Sequence, residues 1–288
     1  MIVLQNEYAS VTLSEKGAEL QHFLLKENNR EYMWGGDPAY WGKHSPVLFP
    51  VIGALKENTY AYNGHQYHLS RHGFARDRTF AVAQKSSTEV SFSLSDDEDT
   101  LRVYPFKFRF YIHYRLEGTR LSCTYEVVNP SEFPLLFSVG GHPAFAVPVN
   151  ADITYDDYFL EFSDDHELVC HKIDHDLISE HTETLMLTDR KLPLSHKLFY
   201  EDALVVKTLK SNRISLRCNK APEGIHFDFE GFPFFGIWSA KDADFVCLEP
   251  WCGIADSTGH DQQLKDKEGI QELAPGERWQ RSWAVTAF

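Results

Sequence analysis

Residues 106–130 read FKFRFYIHYRLEGTRLSCTYEVVNP, and the alternation within them decides the fold class. Phe106, Phe108, Phe110, Ile112, Tyr114 and Leu116 fall on one side of an extended chain, and Lys107, Arg109, Tyr111, His113 and Arg115 on the other. A period of two marks a strand with one buried face. Glu117-Gly118-Thr119 then turns the chain, and Leu121, Cys123, Tyr125 and Val127 resume the alternation until Asn129-Pro130 punctuates it, so the two halves are predicted to form a hairpin. Asn63-Gly64, set between Tyr60-Ala61-Tyr62 and Gln66-Tyr67-His68, predicts another, because this dipeptide accepts the positive φ that both positions of a tight hairpin turn require.

The same strand-like patterning recurs at residues 18–25, 80–84, 90–94, 204–208, 213–218, 225–229, 234–238, 245–248 and 279–286. No helical pattern of ten or more residues competes with it. Many short strands separated by turns predict an all-β sandwich or barrel. No Ser/Pro/Gly-rich linker divides the 288 residues, so a single domain over 1–288 is expected. The Asp96-Asp97-Glu98-Asp99 run lacks the glycine and spacing of a calcium loop and is expected to be a solvated loop.

Composition narrows the function. With 28 Lys and Arg against 42 Asp and Glu, the net charge of −14 argues against nucleic acid and anionic membrane as partners. The chain opens without a basic, then apolar, leader, which leads to the expectation of a cytoplasmic protein. Five scattered cysteines with no C-x-x-C pair suggest buried free thiols rather than a disulfide framework or a zinc ribbon.

Four places could carry chemistry. Arg71-His72-Gly73-Phe74-Ala75-Arg76 gathers two cations and an imidazole, either to bind hydroxyls or as a basic surface turn. The pair Gly140-Gly141 is expected to make a sharp turn presenting His142 at a sheet rim, as a proton donor or as an ordinary core histidine. Phe245 to Leu248 reads as a buried strand ending on Glu249, with Pro250 and Trp251 behind it, which suits a general base or a salt-bridged carboxylate. Asp202 precedes a strand and is the weakest of the set. His65, His68 and His72, like His171, His175 and His181, lie in stretches that lack a helical face and a neighbouring Glu, so no metal is expected. Nucleotide-loop and serine-hydrolase motifs are also absent from the sequence.

Taken together, W-G-K-H-S-P-V-L-F-P-V-I-G at 41–53, R-H-G-F-A-R at 71–76, G-H-P-A-F at 141–145, D-A-L at 202–204 and L-E-P-W-C-G-I-A-D at 248–256 resemble the aldose 1-epimerase (galactose mutarotase-like) family. The resemblance implies a large antiparallel β-sandwich with a sugar cleft on one concave face, and no cofactor. It implies Glu249 as catalytic base and His142 as catalytic acid, with His72, Arg76 and Asp202 binding the sugar and Arg71 a further match. Gly141 and Pro143 flank His142, unlike the galactose-acting branch, so the chain resembles a shorter, less characterised branch and the aldose is left open.

On that reading an ionised Glu249 and a protonated His142 would reinforce one another's charge. Two alternatives stay open: a retaining glycoside hydrolase using Asp202 and Glu249, and a non-catalytic sugar-binding or sugar-sensing protein. The partner would be a small sugar or sugar phosphate, and the protein a monomer or homodimer. Lys43, Arg71, Arg76 and Arg78 gather near the motifs of an otherwise acidic chain, which raises a hexose 6-phosphate as substrate, against the plainer reading that these cations pair with carboxylates.

Overall fold

A computed structural model describes residues 1–148 and 153–288. Among them lie two large antiparallel sheets. One has nine strands, ordered in space Lys191–Pro193, Tyr158–Phe162, Arg213–Cys218, Gly224–Asp228, Arg278–Ala287, Arg120–Val128, Arg109–Glu117, Glu89–Ser95 and Ala81–Gln84. The other has eight: Leu177–Met186, Glu167–Asp174, Leu204–Val206, Phe234–Trp238, Phe245–Cys252, Val139–Gly141 and Val47–Leu48 in that order, with Ala144–Ala146 also pairing Phe245–Cys252.

The sheets face one another over an aromatic core. Phe227 of the nine-stranded sheet meets Phe145 and Phe235 of the eight-stranded one at centroid distances of 5.8 and 6.3 Å, and Phe49 stacks on Phe110 at 4.4 Å. Each such side chain is large enough for its burial to contribute about 1.5–3 kcal/mol.

The hairpin in 106–130 forms as its alternation predicts. Arg109–Glu117 pairs Arg120–Val128 with Leu116 opposite Leu121, and the apolar sides of both strands are buried. Phe106 and Phe108 are buried ahead of the strand, not within it. Asn63 and Gly64 take φ of 50° and 77° between paired strands Thr59–Tyr62 and His65–His68. The acidic run departs from expectation: Asp97 caps a six-residue helix, Glu98–Val103, accepting from the Thr100 backbone N–H at 2.7 Å while its own N–H donates to Thr100 Oγ1.

Strand Phe245–Cys252 runs four residues further than the sequence suggests, so Glu249 lies within it rather than at its end. Every residue of the strand is buried, but the two faces differ. Val246, Leu248 and Cys252 join the core between the sheets, whereas Phe245, Cys247 and Trp251 belong to smaller clusters on the other face of the eight-stranded sheet. Period two therefore aims Glu249 at that outer face.

Candidate active site

A cavity of about 330 Å³ opens on this outer face, and Glu249, His142, His72, Arg76, Asp202 and Arg71 all line it. Motifs separated by up to 178 residues thus converge on one place. Among the described residues, no helix is long and apolar enough to cross a membrane.

The paired glycines act differently from the expected turn. Val139–Gly141 is itself a strand, and neither glycine has positive φ. What requires glycine is close approach: a Cβ at Gly140 would stand 2.7 Å from the Trp251 indole and 2.9 Å from the Pro250 carbonyl, and one at Gly141 2.8 Å from the Tyr125 hydroxyl. The strand lies flat against its neighbours and delivers His142 to the cavity floor instead of a rim. There Trp41 stacks on the imidazole at 5.0 Å, and the rings of Trp238 and His72 meet it edge-on.

His142 Nε2 lies 3.3 Å from Glu249 Oε2, with both residues buried. Burial works against the expected ion pair. Burial, the dominant cause, pushes His142 down to about 3 and raises Glu249 well above the usual carboxylate range. Arg71 and Arg76 lower His142 further, while Arg71 and the nearby Trp251 indole only partly offset the rise at Glu249. Desolvation outweighs mutual attraction because both groups keep little contact with solvent. Burial thus favours the neutral form of each group, the carboxylic acid and the uncharged imidazole.

His72 has a φ of 67°, a strained conformation for a non-glycine residue, and its Nδ1 accepts from the Gly53 backbone N–H at 3.1 Å. Burial keeps the ring neutral, so Nε2 carries the hydrogen. Arg71 Nε stands 3.3 Å from that Nε2. Two donors therefore face one another, an arrangement satisfied by an oxygen acceptor placed between them. Arg76 Nη2 donates to the Arg71 carbonyl at 2.9 Å, and Asp202 Oδ1 accepts from the Ala203 N–H at 2.7 Å. Arg76 Nε, His142 Nδ1 and Trp251 Nε1 are buried without hydrogen-bond partners. Native interiors rarely leave such groups unsatisfied away from a ligand site.

The cations near the motifs do not form an open positive patch. Arg71 pairs with Asp176 at 2.6 Å, Lys43 and Arg76 with Asp77 at 3.6 and 3.8 Å, and Arg78 with Asp97 at 3.4 Å. Sequence reasoning missed Asp176, Ile173 and Ile178, which reach the cavity from the hairpin of Glu167–Asp174 and Leu177–Met186. Its weak alternation hid that hairpin. Trp41 and Trp238 were also left without a role, although Trp41 stands at the head of the first motif.

Three comparisons with known proteins agree with this architecture. The family described as aldose 1-epimerase matches residues 1–286. Protein LacX of Lactococcus lactis subsp. lactis is 31% identical, covering 99% of this chain and 98% of its own. The solved structure of a galactose mutarotase related enzyme from Lactobacillus acidophilus superposes with a TM-score of 0.93 at 35% identity, over 99% of this chain and 96% of that one. A galactose mutarotase-like protein from Lactobacillus casei gives 0.92 at 30% identity over the whole of both chains.

Proposed function

Because the chain belongs to the aldose 1-epimerase family, we propose that it is a single-domain mutarotase, interconverting the α and β anomers of an aldose with Glu249 and His142 moving the proton. Ring opening removes a proton from the anomeric hydroxyl and adds one to the ring oxygen. The open aldehyde then rotates and recloses on its other face. Each step needs one donor and one acceptor, which is what a pair holding a single proton supplies.

The observation carrying this reading is the buried Glu249–His142 contact in a sugar-sized cavity lined by unsatisfied nitrogens. In the free site the proton rests on Glu249. Sugar hydroxyls donating to Glu249, together with Arg71, favour its carboxylate, and the proton passes to His142. Glu249 then takes the anomeric proton as His142 protonates the ring oxygen. His72, Arg71 and Arg76 donate to hydroxyl oxygens, Asp202 accepts a hydroxyl hydrogen bond, and the indoles of Trp41 and Trp238 offer apolar faces to the ring.

The carboxylate partners of Arg71, Lys43, Arg76 and Arg78 favour an uncharged aldose over a sugar phosphate. Anomer exchange measured by NMR over a panel of free aldoses, beside a chromogenic glycoside, tests the assignment. Exchange without glycoside hydrolysis is the expected result. Hydrolysis would move the protein to the glycosidases, and binding without exchange would make it a sugar-binding protein.

A further inference from the structure

Cys247 lies two residues before Glu249 on the same face of their strand, and no step of the proposed reaction uses it. Its Sγ, one nitrogen of His142 and one carboxylate oxygen of Glu249 all lie within 4.8 Å of one another. We infer that these three side chains form a binding site for a borderline divalent cation of the zinc class, and that occupancy of this site switches off the proton-transfer pair. The switching half of the inference rests on the mutarotase reading; the binding half does not.

Geometry supports the site. Nitrogen and oxygen ligands about 2.0 Å from a tetrahedral zinc stand about 3.3 Å apart, and His142 Nε2 to Glu249 Oε2 is 3.3 Å. Cys247 has only to close the remaining gap, and Ala144 and Ala243 in its cluster are small. Three protein ligands leave a fourth position for water or a sugar oxygen, the pattern of an open site.

Charge supports it equally. Buried alone, the thiolate and the carboxylate are each disfavoured by lost hydration. With a dication and a neutral imidazole they sum to zero, and the nearby cations Arg71 and Arg76 are themselves paired with Asp176 and Asp77, so the complex is compatible with the surroundings that oppose each ion separately. Binding must release the thiol proton and any proton on Glu249, and affinity should therefore rise with pH. Thiolate and imidazole select zinc, cobalt or cadmium over magnesium and calcium, which need more oxygen ligands than this cluster offers. The sequence could not show the site, because its ligands are 105 residues apart at 142 and 247 and follow no finger spacing.

The test uses the full chain after treatment with EDTA. Zinc, cobalt and magnesium are titrated separately while anomer exchange, melting temperature and the cobalt absorption spectrum are followed. Zinc should inhibit and raise the melting temperature, cobalt should show a thiolate-to-metal charge-transfer band, and magnesium should do neither. Cys247→Ala and the near-isosteric Cys247→Ser should each exchange anomers without metal, lose the band, and weaken zinc binding at least about a hundredfold, more than loss of an outer-shell partner costs. Zinc effects that persist in both variants would overturn the inference, as would a wild-type protein with no cobalt band and no zinc-dependent melting shift. The spectrum and the melting shift need no turnover, so a band in a protein that exchanges no sugar would sink the mutarotase reading and leave the metal site standing.

Discussion

Replacing Glu249 with Gln should separate activity from stability in opposite directions. The carboxyl is buried, 2% exposed, and its raised pKa, caused first by desolvation, means that the native state holds a proton which the unfolded chain releases. The sign follows from linkage: a raised folded-state pKa gives stability that is full below the unfolded value, about 4.3, and is lost as pH rises toward the folded value. The loss is up to about 1.4 kcal/mol per pH unit across that window. An amide has the same size and no proton to lose, so Glu249→Gln should be at least as stable as wild type at pH 7 and should gain on it as pH rises above the unfolded carboxyl's value. Anomer exchange should meanwhile fall by about two to four orders of magnitude, the usual worth of a positioned base. Urea denaturation at several pH values, beside exchange rates from NMR line shapes, measures both. A variant markedly less stable than wild type at pH 7 would show that the native carboxyl is an ionised, stabilising partner of His142. Near-normal turnover would remove Glu249 from the reaction.

His142→Asn should lower exchange comparably, and the double variant should be far less than additive because both groups serve one proton transfer; losses that multiply would indicate independent roles. The depressed pKa of His142, about 3 through burial, gives stability that is present above the unfolded value near 6.5 and lost as pH falls toward 3, so wild-type stability should decline below pH 6 and decline less in His142→Asn. Lys267→Ala should cost about 3 kcal/mol in urea denaturation, because it removes the cation 2.7 Å from buried Asp256 and leaves that carboxylate the Lys56 N–H as its hydrogen-bond donor; a cost under about 1 kcal/mol would refute the pairing. A hexose 6-phosphate should show no advantage in kcat/KM over the free hexose, and Asp176→Asn, which releases Arg71, should shift the ratio toward the phosphate about two- to fivefold, the worth of one exposed ion pair. A strong phosphate preference in wild type would refute the neutral-sugar reading.

The sheet architecture was legible wherever one face of a strand is buried and the other wet. Residues 109–128 announce their hairpin through alternation. Legibility failed where tertiary packing overrides local pattern. Phe245–Cys252 is buried on both faces, so nothing in its sequence marks where it stops, and Pro250 reads as a terminator although it lies inside the strand. The six site residues could be picked out by motif and all reach one cavity, but the burial that opposes charge on Glu249 and His142 was not legible, because opposite charges suggest an ion pair until burial is known. Asp176 was invisible because its place at the cavity depends on a hairpin tip arriving from 105 residues beyond Arg71.

The cavity has a floor and walls of unlike origin. Its floor is Glu249, inside strand Phe245–Cys252, and His142, just after strand Val139–Gly141, where neighbours approach too closely to admit even a methyl at Gly140. Its walls, Asp176, Ile173 and Ala203, come from a hairpin and a strand entrance on one side of the sheet. Substitutions in the floor are tied to the packing of the whole sandwich, whereas those in the walls perturb only local contacts. Descendants of this chain can thus explore new sugars by redrawing the walls at little risk to folding, while the reaction itself stays anchored. A laboratory library aimed at altered sugar preference should for the same reason randomise positions 173, 176 and 203 and leave 140, 142 and 249 untouched.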